Sequence, residues 1–478
     1  MSTELERGAS SPQMMRRANR QILLQHALTV PSFTAADAMA ATGLTRATVL
    51  GVSAELEQAG LLTSLAAGAA GAAGAAGAAR ATGAAIAAGA GATAGERSGR
   101  SASRGRPARR FALRADAAVL VGIDAGQHTL RARTVDLRGR ELASAIEPAD
   151  PVGPTGPTGV TAPARPSAAE SRIAQLRALI ARVAREATSA DRAPTNGAPA
   201  DGAPAEAMAA DATSAGATRT PLLTVVGVPA PVRADGRSPV GGNDFWTTMN
   251  PDLVDALAGD DLAGQPAAGR VIVENDANLA ALAALAERGD TQHLAALLMG
   301  ERFGAGLVID GRLLRGADGG AGEMRFLDDV LDDSRGADGV AALARRWALE
   351  GLSAGQDAPL LAAVPAEELT AVTVLEAAER GDPLARAVRE RLALRLARIA
   401  GILASLLGAE RVVVAGAIAE SIGPLLERSR ELLPEVATAP FPQLVASTDG
   451  RDVVVRGATE LALARVREAP LDLLMPDA

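Results

Sequence analysis

Beyond residue 117, short apolar runs alternate with helical segments, and this alternation is the strongest restriction on what the chain can fold into. The runs are VLVGID, LLTVVGVP, GRVIVEND, LAALLMG, AGLVIDGRLL, ERVVVAG and DVVVRG. Apolar, β-branched runs bounded by Gly or Asp read as strands, and strands separated by helices read as an α/β body. Asp310-Gly311 between two such runs suits a two-residue hairpin turn, so at least one antiparallel pair is expected. Residues 382–408 form a long amphipathic pattern, predicting a helix that packs on a sheet just before a strand at Val412–Val414.

The first 65 residues read differently. Met14, Ala18, Ile22, Leu23 and Ala27 recur at helix spacing. A second helix is predicted to start at Thr34, because Asp37 follows three residues later and suits the first turn. Gly43 supplies a turn, and Thr45 caps a third helix that runs to Gln58 before Gly60-Leu-Leu ends it. Three short helices with a glycine turn between the second and third match a helix-turn-helix, whose last helix can enter a major groove. Thr45, Arg46 and Thr48 then lie on its first turns, where hydroxyl and guanidinium groups reach bases or phosphates. A small helical docking domain is the competing reading.

Residues 66–95 are almost only Ala, Gly and Thr in GAAGAAGAA repeats, too poor in side-chain volume for a core and too rich in Gly for a membrane span. They read as a flexible linker or expanded loop. Residues 96–114 carry seven Arg and one Glu, and Arg104-Gly-Arg106-Pro107 is slim enough to lie in a minor groove, the alternative being a solvated basic linker. Residues 1–114 hold 13 Arg against six acidic residues, a balance of +7, which leaves −15 for the remainder of a chain whose net charge is −8. A basic end on an acidic body points to a polyanion-binding arm. Arg16, Arg17 and the Arg97–Arg110 cluster, Arg109 included, are the candidate phosphate contacts. Two more low-complexity stretches, 148–169 and 188–219, flank a helical segment, Ser171–Glu186, and read as disordered insertions. The domain reading is therefore 1–65, an insertion at 66–95, a basic segment at 96–114 and a body at 115–478.

Absence of Cys, with three His, excludes a disulfide framework, a thiol nucleophile and a Cys-ligated metal. No apolar run has transmembrane length and the N-terminus lacks a signal-peptide core, so the expected location is cytoplasmic with no membrane partner. All 48 basic residues are Arg and Tyr is absent, a skew read as codon bias rather than function.

Polar groups gather at the strand ends of the body. Gly122-Ile-Asp124-Ala-Gly126 and Glu274-Asn275-Asp276-Ala-Asn278 each follow an apolar run, and Gly304-Ala-Gly306 and Gly319-Gly-Ala-Gly322-Glu323 add glycine turns. Carboxylates and amides at strand ends are how α/β proteins present polar groups to a ligand, although singly such an Asp is more often a cap.

In their order along the chain these motifs resemble the ROK family of sugar-responsive repressors and sugar kinases. GLTRATVLGVSAELEQAGLL, the GRP segment at 105–107, VGIDAG, VGVPAPV, VENDANLAALAAL, GAGLVIDGRLLRGADGGAGE and VVVAG carry the resemblance, which covers most of the chain. It implies an N-terminal winged helix-turn-helix followed by a two-lobed, actin-like (ribonuclease H-type) α/β domain. It also implies a double-stranded DNA operator, a sugar or sugar-derivative effector held by Asn275, Asp276 and Glu323, and a homodimer or homotetramer.

Departures from the family pattern are equally specific. Where family kinases have D-x-G-G-T, this chain reads Asp124-Ala-Gly126-Gln127-His128; where they have G-T-G it reads Gly300-Glu301-Arg302; and three glycines become Ala415-Gly416-Ala417. A carboxylate at Glu301 and added methyl groups oppose a nucleotide, leaving Asp276 as a vestigial kinase base. The family histidine is replaced by Phe326, the final cysteine by Val340 and the next glutamate by about Ala342, so the family zinc site is expected to be absent and no cofactor is implied. The resulting expectation is a ROK-type repressor of carbohydrate-related genes without enzyme activity. The alternatives are an ATP-dependent sugar kinase with a fused DNA-binding domain, and a ligand-independent dimeric DNA-binding protein.

Overall fold

The computed structural model describes residues 12–65, 108–150, 167–190, 220–239, 244–258, 268–287, 290–323 and 338–476. They form two compact units: residues 1–118 with 465–478, and residues 119–464. The second unit starts four residues later than the sequence reading places the body, and the C-terminal residues belong to the first unit.

The first unit contains α1 (Pro12–Thr29), β1 (Phe33–Thr34), α2 (Ala35–Thr42), α3 (Arg46–Gln58), β2 (Leu62–Leu65) and β3 (Arg110–Leu113). Both predicted caps form: Thr34 and Asp37 make a reciprocal capping box on α2, and the Thr45 side chain accepts from the Thr48 amide on α3. Each such cap stabilises its helix by about 1 kcal/mol. The strands make an antiparallel sheet in the order β1-β3-β2, with Phe33 opposite Phe111. Those two rings, 5.7 Å apart, are buried and share their unit with buried Leu23, Leu24, Val49 and Leu56 on the three helices. Leu65 pairs with Arg110, so the Ala/Gly tract connects two partnered strands. The tract itself lies outside the described residues, as do Arg97, Arg100, Arg104 and Arg106.

In the second unit β4 (Val119–Ala125), β5 (Thr129–Asp136), β6 (Glu141–Pro148), β7 (Leu223–Val228) and β8 (Arg270–Asn275) form a five-stranded sheet ordered β6-β5-β4-β7-β8. β9 (Leu294–Met299), β10 (Phe303–Ile309), β11 (Arg312–Leu314), β12 (Arg411–Ala415) and β13 (Gln443–Ala446) form another, ordered β11-β10-β9-β12-β13. In both sheets the first three strands are antiparallel and the last two run parallel to the first, so one topology occurs twice. β7 is buried along its whole length, which explains its unbroken apolar sequence, whereas edge strand β6 is mostly exposed or half-buried. Asp310 and Gly311 both have positive φ (51° and 68°) in the β10–β11 turn, the tight hairpin their sequence predicts.

The helices are α4 (Ala168–Ala190), α5 (Asp244–Met249), α6 (Leu253–Ala258), α7 (Asp276–Glu287), α8 (Val340–Ser353), α9 (Ala371–Glu379), α10 (Pro383–Leu407), α11 (Gly423–Val436) and α12 (Val453–Glu468), followed by α13 (Pro470–Leu474) in the first unit. The predicted long helix is α10, capped by buried Asp382.

Three expectations need correction. DVVVRG is the start of α12 and not a strand: its valines continue into the strong helix former ATELALARVRE, and all three are buried. Helical geometry also lets Gly457 approach the Leu279 carbonyl so closely that a Cβ would stand 1.9 Å from that oxygen. The segment expected at Ser171–Glu186 extends from Ala168 to Ala190, and Pro148 ends a strand, so the edges of both stretches read as disordered are regular structure. What remains of those stretches, 151–166 and 191–219, lies outside the described residues.

Candidate functional site

Parallel pairing of β4, β7 and β8 puts their ends side by side: Asp124 is level with Gly227, and Gly227 with Glu274. Asp276 follows at the start of α7, and its Oδ1 accepts from the Ala277 amide at 2.8 Å. Burial pushes the Asp276 carboxyl up to about 8, and the charges of Asp124 and Glu323 add to the rise. Burial likewise pushes Asp124 up to about 7, opposed by Arg131 and Arg172. Asp276 thus interacts with two further acidic groups brought in from other elements, and both it and Asp124 take up protons near neutral pH.

Not every residue of the motif faces this place. Asn275 caps α7: its Oδ1 accepts from the Asn278 amide at 3.0 Å, and its Nδ2 donates to the Ala230 carbonyl at 3.1 Å. Glu274 is buried, accepts from Asn278 Nδ2 at 2.9 Å, and pairs with Arg315 Nη2 at 2.6 Å. Of the expected effector residues, Asp276 and Glu323 come together electrostatically, while Asn275 holds a backbone turn in place. Glu323 is exposed at the edge of the described residues.

Arg172, which sequence reasoning missed, lies behind Asp124. It is buried, donates Nε to the Met249 carbonyl at 3.1 Å and Nη1 to the Gly126 carbonyl at 3.2 Å, and also bonds the Ala125 carbonyl. Burial lowers its guanidinium to about 10, against the attraction of Asp124. The signal was present: Arg172, Leu176, Leu179, Val183 and Ala187 are all buried, so an arginine occupies the apolar stripe of α4.

A cavity of about 950 Å³ is bordered by Gln127, Glu301, Arg302, Asp338, Arg345 and Arg346, and by none of Asn275, Asp276 or Glu323. Its charges are mutually engaged. Glu301 pairs with Arg345 at 2.9 Å, Asp338 with Arg346 at 3.5 Å, and Arg302 lies 4.0 Å over the Phe245 ring. A polyphosphate here would meet Glu301 and have to separate it from Arg345, so these residues do not fit one. The family zinc does not fit either. Val340, which the resemblance sets in place of a metal-binding cysteine, is buried in an apolar core, and no group of three or more acidic or His side chains suits a metal among the described residues. Phe326 lies outside the described residues.

In the first unit, Thr45 Oγ1 accepts from the Thr48 amide at 3.2 Å and lies 2.9 Å from Thr48 Oγ1, so both hydroxyls serve the cap of α3. Arg46 is exposed beside them. Among the described residues, Arg16 pairs with Glu55 at 3.2 Å, Arg17 with Asp472, and Arg109 with Glu57 and Ser64, each at 2.7 Å. Arg109 therefore ties β2 to the end of α3. No helix among the described residues is long and apolar enough to cross a membrane.

Comparison with known proteins gives a consistent placement. The ROK family model matches residues 217–465. A glucokinase of Halalkalibacterium halodurans is 29% identical over 209 residues, which is 39% of this chain; the chain spans 62% of that relative, less than two thirds of its length. Among solved structures, a ROK family transcriptional regulator described as a homolog of the E. coli MLC protein has a TM-score of 0.59 at 17% identity, covering 96% of this chain and 98% of its own. A ROK family glucokinase from Streptomyces griseus, in complex with glucose and AMPPNP, has a TM-score of 0.51 at 20% identity, covering 72% of this chain and 98% of its own.

Proposed function

The chain belongs to the ROK family, and from that premise we propose that it is a DNA-binding transcriptional regulator, a repressor of carbohydrate-related genes with an altered effector pocket. The observation that carries this reading is one of extent. The glucokinase fold accounts for 72% of the chain, whereas the regulator fold accounts for 96%. What the regulator likeness adds includes a unit of three helices and a three-stranded antiparallel sheet, the parts of a winged helix-turn-helix.

In this reading α3 enters the major groove and the basic segment around Arg104, Arg106 and Arg110 follows the backbone. Two copies of the chain pair on a palindromic operator. A sugar or sugar derivative at Asp124, Asp276 and Glu323 shifts the body between two states that hold the DNA heads differently. In this reading the chain performs no phosphoryl transfer, and the Glu301–Arg345 pair supports it, because a polyphosphate in that cavity would meet the carboxylate. The test is quantitative DNA binding across a salt series. Affinity for a selected operator falls steeply with added salt, and a flat response contradicts the reading.

Two observations favour a second reading, a sugar kinase with a DNA-binding unit: the glucokinase relative, and the raised carboxyl of Asp276, which is a stronger base than an ordinary aspartate once its proton has left. It requires ATP with magnesium to stabilise the protein against heat, and a sugar to be phosphorylated. A ligand-independent dimer, the third possibility, gives no binding heat with any sugar.

A further inference from the structure

We propose that Leu50 reads the 5-methyl group of a thymine in the major groove, an inference that rests on the DNA-binding reading above and assigns part of its specificity. One face of α3 is core: Val49, Val52, Ser53 and Leu56 are buried. The flank of that face presents Arg46 and, one turn on, Leu50, which is 39% exposed. Leu50 is thus a large apolar side chain at the boundary of the core, with a part of its surface left to solvent. Its neighbours on that face, Ala47, Gly51 and Ala54, are small, so Leu50 projects beyond them.

Charge identifies what such a face meets. The carboxylates at its margins are already neutralised, Glu55 by Arg16 and Arg20 and Glu57 by Arg109. Arg46 therefore sets the sign of the exposed face. The partner is a polyanion with an apolar feature within a side chain's reach of a cation site. Duplex DNA has one in its major groove: the thymine methyl, beside guanine O6 and N7, which suit arginine. A second copy of this chain, or another protein, would bring no comparable density of negative charge.

The experiment starts from the duplex that the full-length protein selects from a random pool. Each thymine of that duplex is replaced in turn by deoxyuridine, which lacks only the methyl group, and binding is measured for wild type and Leu50→Ala. Wild type is expected to lose about fourfold in affinity at one thymine of each half-site, the effect of exposing one buried methyl. Leu50→Ala binds the thymine and uracil duplexes equally and still unfolds cooperatively. Equal binding of both duplexes by wild type at every position, or a selected half-site without thymine, overturns the inference and leaves DNA reading intact. Discrimination that survives in Leu50→Ala assigns the methyl contact to another residue and also overturns it. If no duplex is selected, the DNA-binding reading itself fails and this inference falls with it.

Discussion

Arg315 Nη2 lies 2.6 Å from Oε2 of the buried Glu274, joining the end of β8 to the chain just beyond β11. The pair links the two sheets of the second unit through the acidic motif before α7. Arg315 is partly open to water, so Glu274→Gln leaves a cation that solvent can still reach, and the expected loss is about 2 kcal/mol rather than the larger penalty of a fully enclosed pair. Thermal unfolding of Glu274→Gln, Arg315→Met and the double variant measures it. Single losses that add without coupling would show the contact to be energetically idle.

Arg172 satisfies three backbone carbonyls around the turn after β4. Arg172→Met keeps the stem volume and removes every donor, so destabilisation of at least about 2 kcal/mol is expected. Loss of the neighbouring cation also moves the Asp124 carboxyl further up. Denaturant unfolding gives the first quantity. An unchanged midpoint would mean that water replaces the guanidinium at no cost.

Raised carboxyl values at Asp124 and Asp276 make a signed prediction about pH. Each folded-state value, about 7 and about 8, exceeds the unfolded value of 3.8, so between these limits the folded protein keeps protons that the unfolded chain has released. Stability contributed by the two groups is complete below about pH 4 and is lost as pH rises through 7 and 8, at no more than about 1.4 kcal/mol per pH unit for each retained proton. Asp276→Asn removes part of this slope: it is more stable than wild type at pH 8.5, and the advantage shrinks toward pH 4. Parallel stability curves for the two proteins would contradict the electrostatic account.

In the first unit, capping and reading separate experimentally. Thr45→Ala is expected to cost about 1 kcal/mol of stability, because it removes the acceptor for the Thr48 amide. Arg46→Ala leaves the melting temperature unchanged, its side chain being exposed, and weakens operator binding about tenfold or more. Calorimetry beside fluorescence anisotropy distinguishes them, and an Arg46→Ala protein that binds like wild type would remove this residue from the reading surface.

Deletion of residues 66–95 is expected to change DNA affinity by only a few-fold. Leu65 and Arg110 are already paired across β2 and β3, and loop closure depends only logarithmically on the length between them. Complete loss of binding would give the tract a structural role.

How much of this was legible in the sequence varies with the physics of each element. Thr34, Thr45 and Asp310-Gly311 act locally, through caps and a turn set by neighbouring residues, and their sequence signals match the structure. β5 and β6 were not read as strands because Arg131, Arg133, Glu141 and Glu147 interrupt their apolar pattern. Those charges are taken up in ion pairs: Arg131 and Arg133 pair with Asp452, Arg133 also with Glu141, and Arg182 with Glu147. DVVVRG misled for the opposite reason, since burial on all sides makes a helix look like a strand. At the site, Asp276 was legible from its motif. The work of Asn275 as a cap and of Arg172 as a carbonyl clamp depends on residues far away in sequence, Ala230 and Met249 among them.

Capture and sequencing of genomic fragments bound by the purified full-length protein at near-physiological salt, beside Arg46→Ala/Thr48→Ala, tests the central claim most directly. The account predicts enrichment of a palindromic site by the wild type alone, with the spacing of two recognition helices on one face of the duplex. Retention of the same fragments by both proteins, or no enrichment by either, would contradict it.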